Sequence, residues 1–104
     1  MRFTPMAGLS ALGTEPYATL FRHGPLEVEF YRPQGADLQQ PHSRDELYCV
    51  ISGSGWFTNA GRRHRFEPGD LLFVAAGEEH RFDDFSEDFA TWAIFYGPER
   101  TKEG

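Results

Sequence analysis

Cysteine occurs once in these 104 residues, at Cys49, so no disulfide can form within the chain. No uninterrupted apolar run approaches the roughly 20 residues needed to cross a bilayer, and no charged-then-apolar leader opens the sequence. The expectation is a soluble, cytoplasmic protein. Basic residues are also scarce: 10 Lys and Arg stand against 16 Asp and Glu, giving a formal charge of -6. The basic cluster Arg62, Arg63, His64 and Arg65 is short and flanked by acid. Binding to a phosphate backbone, which needs clustered cations, is therefore not expected, and nucleic acid is excluded as a partner. Long helices are missing as well, because 11 glycines and 7 prolines interrupt every window in which a helical stripe would run for three turns.

Aromatic residues, in contrast, make up 15% of the chain and ten of them are Phe. That is enough to build an aromatic-lined core or pocket in one domain spanning residues 1–104, a length that buries most of its apolar surface without staples. Runs rich in β-branched and aromatic residues, among them "LEVEFYR", "ADLQQPH", "ELYCVISG", "LLFVAAG" and "FATWAIFY", recur every eight to twelve residues between Gly, Pro, Asn or Asp. This spacing predicts an all-β sandwich or barrel. "HGP" at 23–25, "SGSG" at 52–55, "NAG" at 59–61 and "EPGD" at 67–70 read as the connecting turns. Residues 1–13 are weakly patterned and read as an arm laid across the barrel or onto a second subunit. The polar residues 97–104 read as a frayed tail.

The stretch "QQPHSRDE" at 39–46 carries the chemistry. Alternate residues of an extended segment face one side, so Gln40, His42 and, beyond a brief turn, Glu46 and Tyr48 are predicted to share a wall. His80, after the run "DLLFVA", is the candidate that completes the set from a neighbouring strand. Two imidazoles and a carboxylate suit a divalent transition metal with positions left open for a ligand. Gln40 either adds a neutral amide oxygen as a further donor or orients His42 or a bound water.

The order of these pieces resembles the cupins. Their first motif is matched by "QPHSRDELYCVISG", with His42 at its second histidine, Glu46 after three residues and Gly53 after six more. Their second is matched by "GDLLFVAAGEEHRFDD", with Gly77 and His80 at the family spacing. Four positions depart from the pattern. Gln40 stands where the first histidine sits, Ala75 replaces a proline, Asp84 replaces an asparagine, and Gly35 lies one residue too close to Gln40. The resemblance implies a small jelly-roll β-barrel (a double-stranded β-helix), usually dimeric, that holds Fe, Mn, Ni, Zn or Cu on three histidines and a glutamate. Tyr48 and Phe82 share strand parity with Glu46 and His80 and are expected to face inward, as pocket lining or core. Phe66 and His64 fall in a strand where the family points side chains inward, His64 being either a pocket base or a half-exposed strand histidine.

Two functions are consistent with this reading. One is a metal-dependent enzyme acting on a small oxygenated molecule by dioxygenation, isomerisation, lyase or cyclase chemistry, since the pocket and not the fold selects the reaction. The alternative is a cupin that captures a small ligand without reaction. In either case a homodimer is expected, from the N-terminal arm and from aromatic residues such as Trp56 on a small β protein.

Overall fold

The computed structural model describes residues 1–100; the last four residues of the polar tail lie outside the described residues. Helix α1 (Pro5–Leu12) precedes eight strands: β1 (Tyr17–His23), β2 (Leu26–Tyr31), β3 (Asp45–Ser52), β4 (Gly55–Asn59), β5 (Arg62–Phe66), β6 (Leu71–Val74), β7 (His80–Asp83) and β8 (Ala90–Tyr96). They form a five-stranded sheet, β1-β2-β8-β3-β6, and a three-stranded sheet, β5-β4-β7, with neighbouring strands antiparallel throughout. This is the predicted all-β jelly roll.

Period-two alternation decides what lies between the sheets. In β3 the inward set is Glu46, Tyr48 and Val50, all buried, while Leu47, Cys49 and Ile51 between them are half-buried on the outer face. Tyr48 and Val50 meet Phe57, Phe66, Phe82 and Phe89 in one aromatic core. Phe82 is its hub, with ring centroids 4.7 to 5.3 Å from Phe57, Phe89, Tyr48 and Phe66. Burying rings of this size is the main stabilising contribution such a small barrel has available.

Tight connections keep the sheets in register. Ala60 and Gly61 both adopt left-handed backbone, φ 51° and 79°, as a two-residue hairpin between β4 and β5 requires. Where β3 hands over to β4, Gly53 has φ 80°, and a Cβ there would sit 2.5 Å from the Phe89 backbone. Only glycine fits that crossing.

The N-terminal arm takes the first of its two expected places, across the barrel, and one strand reading is corrected. The N-terminal arm is a two-turn helix packed on its own sheet. Thr4 caps it, its Oγ1 accepting from the Ala7 amide at 3.1 Å, and Pro5 opens its first turn. Gly8 lies directly over the Phe30 ring, so that Leu12, Phe30 and Ala90, with Ala18, Leu20, Ile51 and Trp92, form a second apolar cluster on the outer face. Eight residues are too few for the three-turn stripe sought in the sequence. The run "ADLQQPH" is not a strand: residues 32–44 are irregular. Pro33 and Pro41 remove two backbone donors there, and the loop is tied down by a side chain instead. The near end of the polar tail is also held, since Arg100 donates its amide to the Ser43 carbonyl at 2.6 Å and pairs its guanidinium with Asp45.

Candidate metal centre

His42 lies near the end of the irregular loop, Glu46 is the second residue of β3, and His80 opens β7. Strand β3 belongs to the larger sheet and β7 to the smaller, so the group bridges the two at the barrel mouth. Glu46 Oε1 lies 3.7 Å from His42 Nε2 and 3.6 Å from His80 Nε2, and one donor atom from each of the three residues falls within 4.8 Å of the others. The imidazole rings are 5.2 Å apart between centroids.

The hydrogen bonding around these atoms tests whether a cation fits. His80 Nδ1 lies 3.1 Å from the Glu78 carbonyl oxygen, which can only accept, so Nδ1 carries the proton and Nε2 presents a lone pair. That lone pair faces a carboxylate oxygen. Both Glu46 oxygens and His80 Nε2 are buried with no hydrogen-bond partner among the described residues. Orphaned buried acceptors facing one another are costly unless a proton or a cation sits between them. Burial pushes the Glu46 carboxyl up to about 8, with the charges of Glu29 and Asp37 adding to the shift. Burial, together with the charges of His80 and Arg44, pushes the His42 imidazole down to about 4 and keeps it an unprotonated donor near neutral pH. Two imidazoles and a buried carboxylate suit a divalent transition metal such as Fe, Mn, Ni, Zn or Cu.

Behind this group stands a polar network that the sequence reading missed. Asp37, 8% exposed, accepts from the Tyr31 hydroxyl at 2.5 Å, the Phe82 amide at 2.8 Å, the Gln39 amide at 3.2 Å and Gln39 Nε2 at 3.0 Å. One buried carboxylate thus pins the irregular loop to β2 and β7, using all of its acceptor capacity. Gln39 Oε1 in turn accepts from the Tyr48 hydroxyl at 2.9 Å and lies 3.3 Å from His42 Nε2.

A family model described as "Cupin domain" matches residues 28–93. The chain belongs to the cupin family. An uncharacterised protein of Streptomyces coelicolor is 36% identical to it over 85 residues, covering 80% of this cupin and 81% of the relative. Among solved structures, a Cupin 2 conserved barrel domain protein from Salinispora arenicola superposes with a TM-score of 0.70 at 17% identity, covering 93% of this cupin and 89% of that chain. A candidate mannose-6-phosphate isomerase from Ralstonia eutropha superposes with a TM-score of 0.64 at 23% identity, covering 79% and 83%. These likenesses establish the barrel and leave its chemistry to the site.

The cupin barrel brings His42, Glu46 and His80 together in one cluster of candidate metal donors. Gln40 is not with them. Its side chain is exposed, and the inward glutamine is its neighbour Gln39, because period-two parity does not hold in an irregular loop. Tyr48 is fully buried and reaches the site through its hydroxyl, whereas Phe66 and Phe82 are plain core. His64 is exposed although it shares parity with Phe66, since β5 is an edge strand on which only Phe66 is buried.

Beside the metal group a cavity of about 310 Å³ opens over the inner face of β1, β2 and β8, lined in part by Tyr17, Glu29, Tyr31, His42, Arg44 and Phe95. Glu29 was not singled out in the sequence either. Its carboxyl is pushed up to about 8 by burial and by the adjacent Glu27, which is held down to about 2 by a hydrogen bond from Glu29 and by the guanidinium groups of Arg44 and Arg22. The signal was there, in the alternation of Glu27, Glu29 and Tyr31 along "LEVEFY", opposite Val28 and Phe30.

Proposed function

We propose that this cupin holds one divalent transition metal on His42, Glu46 and His80 and acts as a homodimeric, metal-dependent enzyme on a small oxygenated molecule bound in the adjacent cavity. The observation that carries the reading is that both Glu46 oxygens and His80 Nε2 are buried beside His42 with no hydrogen-bond partner among the described residues. A metal bound there supplies Lewis acidity, polarising a carbonyl or hydroxyl oxygen of the ligand.

The chain's own residues divide the remaining tasks. Glu29 faces the cavity as a carboxyl that is protonated at neutral pH and titrates near 8, the range in which one group both delivers and accepts a proton efficiently. This supplies an acid-base group outside the metal ligands and favours an enzyme over a passive binder. Arg44 sits with its guanidinium carbon 5.0 Å from the centroid of the Phe95 ring and 3.1 Å from Glu27. It closes the polar side of the cavity and offers its remaining donors to a ligand oxygen. Phe95 and Tyr31 supply apolar wall that excludes water.

Elemental analysis of protein purified without chelator tests the metal. Less than about a tenth of an equivalent, with no uptake on adding Fe, Mn, Ni, Zn or Cu, overturns the reading. Conversion of a small hydroxy- or oxo-compound, abolished in Glu46→Ala with the fold intact, establishes an enzyme. Thermal stabilisation by the same compounds without turnover establishes a binding module instead.

A further inference from the structure

We infer that Gln39, not Gln40, supplies a fourth donor to the metal, with its carbonyl oxygen aimed at the site by Asp37. The inference rests on the metal-binding reading above. It begins with the orientation of an amide, whose two ends differ only in what they can give. Gln39 Nε2 lies 3.0 Å from Asp37 Oδ2, and a carboxylate in this network, already accepting from Tyr31, Phe82 and the Gln39 backbone, can only accept. The amide nitrogen must therefore face Asp37, and Oε1 must face the opposite way, toward the metal group.

Distance then separates a donor from a bystander. Donors held about 2.1 Å from one cation at angles between tetrahedral and octahedral lie about 3.0 to 3.4 Å from one another. Gln39 Oε1 lies 3.3 Å from His42 Nε2, a shorter spacing than the 3.7 Å and 3.6 Å that separate Glu46 Oε1 from the two imidazole nitrogens. The Tyr48 hydroxyl donates to Gln39 Oε1 at 2.9 Å and occupies one of its two lone pairs, leaving the other for a cation. Gln40 has an exposed side chain on the same irregular loop. The motif's nominal first-ligand position is thus turned outward, and the residue before it takes the inward place. Asp37 touches no ligand atom; it is a positioning residue that acts through Gln39.

Cobalt(II) titration of the full chain by calorimetry, with the visible absorption of the bound ion as a second readout, tests this. Gln39→Ala and the near-isosteric Gln39→Met are expected to weaken Co(II) binding at least tenfold and to alter the visible band, whose intensity reports coordination number, while Gln40→Ala stays within twofold of wild type. Asp37→Asn is expected to weaken binding less than Gln39→Ala and to broaden the same band. Circular dichroism of the metal-free proteins establishes that each variant is folded. Wild-type affinity and spectrum in both folded Gln39 variants, or a tenfold loss in Gln40→Ala, overturns the assignment of Gln39. Absence of Co(II) uptake by wild type overturns the metal reading itself, and the two failures are thereby distinguished.

Discussion

At the scale of single residues, the site stands in conflict with the stability of the metal-free barrel. Glu46 is 1% exposed and its carboxyl titrates at about 8, against 4.5 when unperturbed. A carboxyl whose folded pKa is raised binds its proton more tightly in the folded state, so the stability it contributes is complete below about 4.5 and is lost as the pH rises through about 8. Metal-free protein is therefore expected to melt at progressively lower temperature between these limits. Glu46→Gln, which cannot ionise, is expected to be more stable than wild type at pH 8 by about 1 to 3 kcal/mol, while binding no metal. Glu29 titrates in the same range and leaves a residual slope. The proton on Glu46 also governs metal uptake. His42, pushed down to about 4, does not compete near neutrality, so one proton leaves from Glu46 on binding. Affinity for Zn or Co measured by competition is expected to rise about tenfold per pH unit up to about pH 7.5 and to level off above about 8. A flat profile over that range would show that Glu46 is not the group displaced. The sequence makes His42, Glu46 and His80 legible because ligand type and spacing coincide. It misplaces the glutamine because parity is a property of strands, and residues 39 and 40 lie in none.

At the scale of elements, four of the five runs quoted from the sequence, all but "ADLQQPH", are strands. Alternation and turn chemistry specify them locally, so they are readable without knowledge of their partners. The run "ADLQQPH" and the helix are not readable in that way. The loop 32–44 is fixed by one buried carboxylate reaching two strands, and α1 is fixed by what lies beneath it. The helix docks through Gly8, where a Cβ would fall 2.4 Å from the Phe30 ring. Gly8→Val is expected to lift α1 and to cost about 1 to 3 kcal/mol, as overpacking does. Trp92, whose ring meets Phe30 edge-on at 5.5 Å beside the helix, then gains solvent and its emission shifts to the red. Metal affinity is expected to stay at the wild-type value, since α1 covers the outer face of the sheet and the proposed metal group lies on the inner side. Unchanged Trp92 emission together with an unchanged melting temperature would mean that the helix contributes nothing to the packing of that face.

At the scale of the whole molecule, the two features that suggested a dimer in the sequence are both engaged within the single chain. The arm is a helix on its own sheet, and Trp56 is capped by the Arg63 guanidinium, 4.3 Å from the ring centroid. The case for a second copy rests instead on the outer face of the larger sheet. Cross-strand register aligns Leu71, Cys49, Trp92, Phe30 and Ala18 in one row, and Phe73, Leu47, Ile94 and Val28 in the next. Helix α1 covers the Phe30 end of this band. At the other end Leu71 and Phe73 are 65% and 51% exposed on β6, a four-residue edge strand whose outer backbone groups face no neighbour in the sheet. An apolar band that is half covered and ends on an open edge suits a second copy of the same chain, because a two-fold axis sets the same patch against itself and covers both edges at once. Wild type is expected to sediment as a dimer at tens of micromolar, and the double variant Leu71→Asp, Phe73→Lys as a folded monomer with an unchanged circular dichroism spectrum. Both side chains are exposed in the single chain, so their replacement costs the monomer little and the change reports association alone. Wild type sedimenting as a monomer, or a double variant that stays dimeric, assigns this face no role in association.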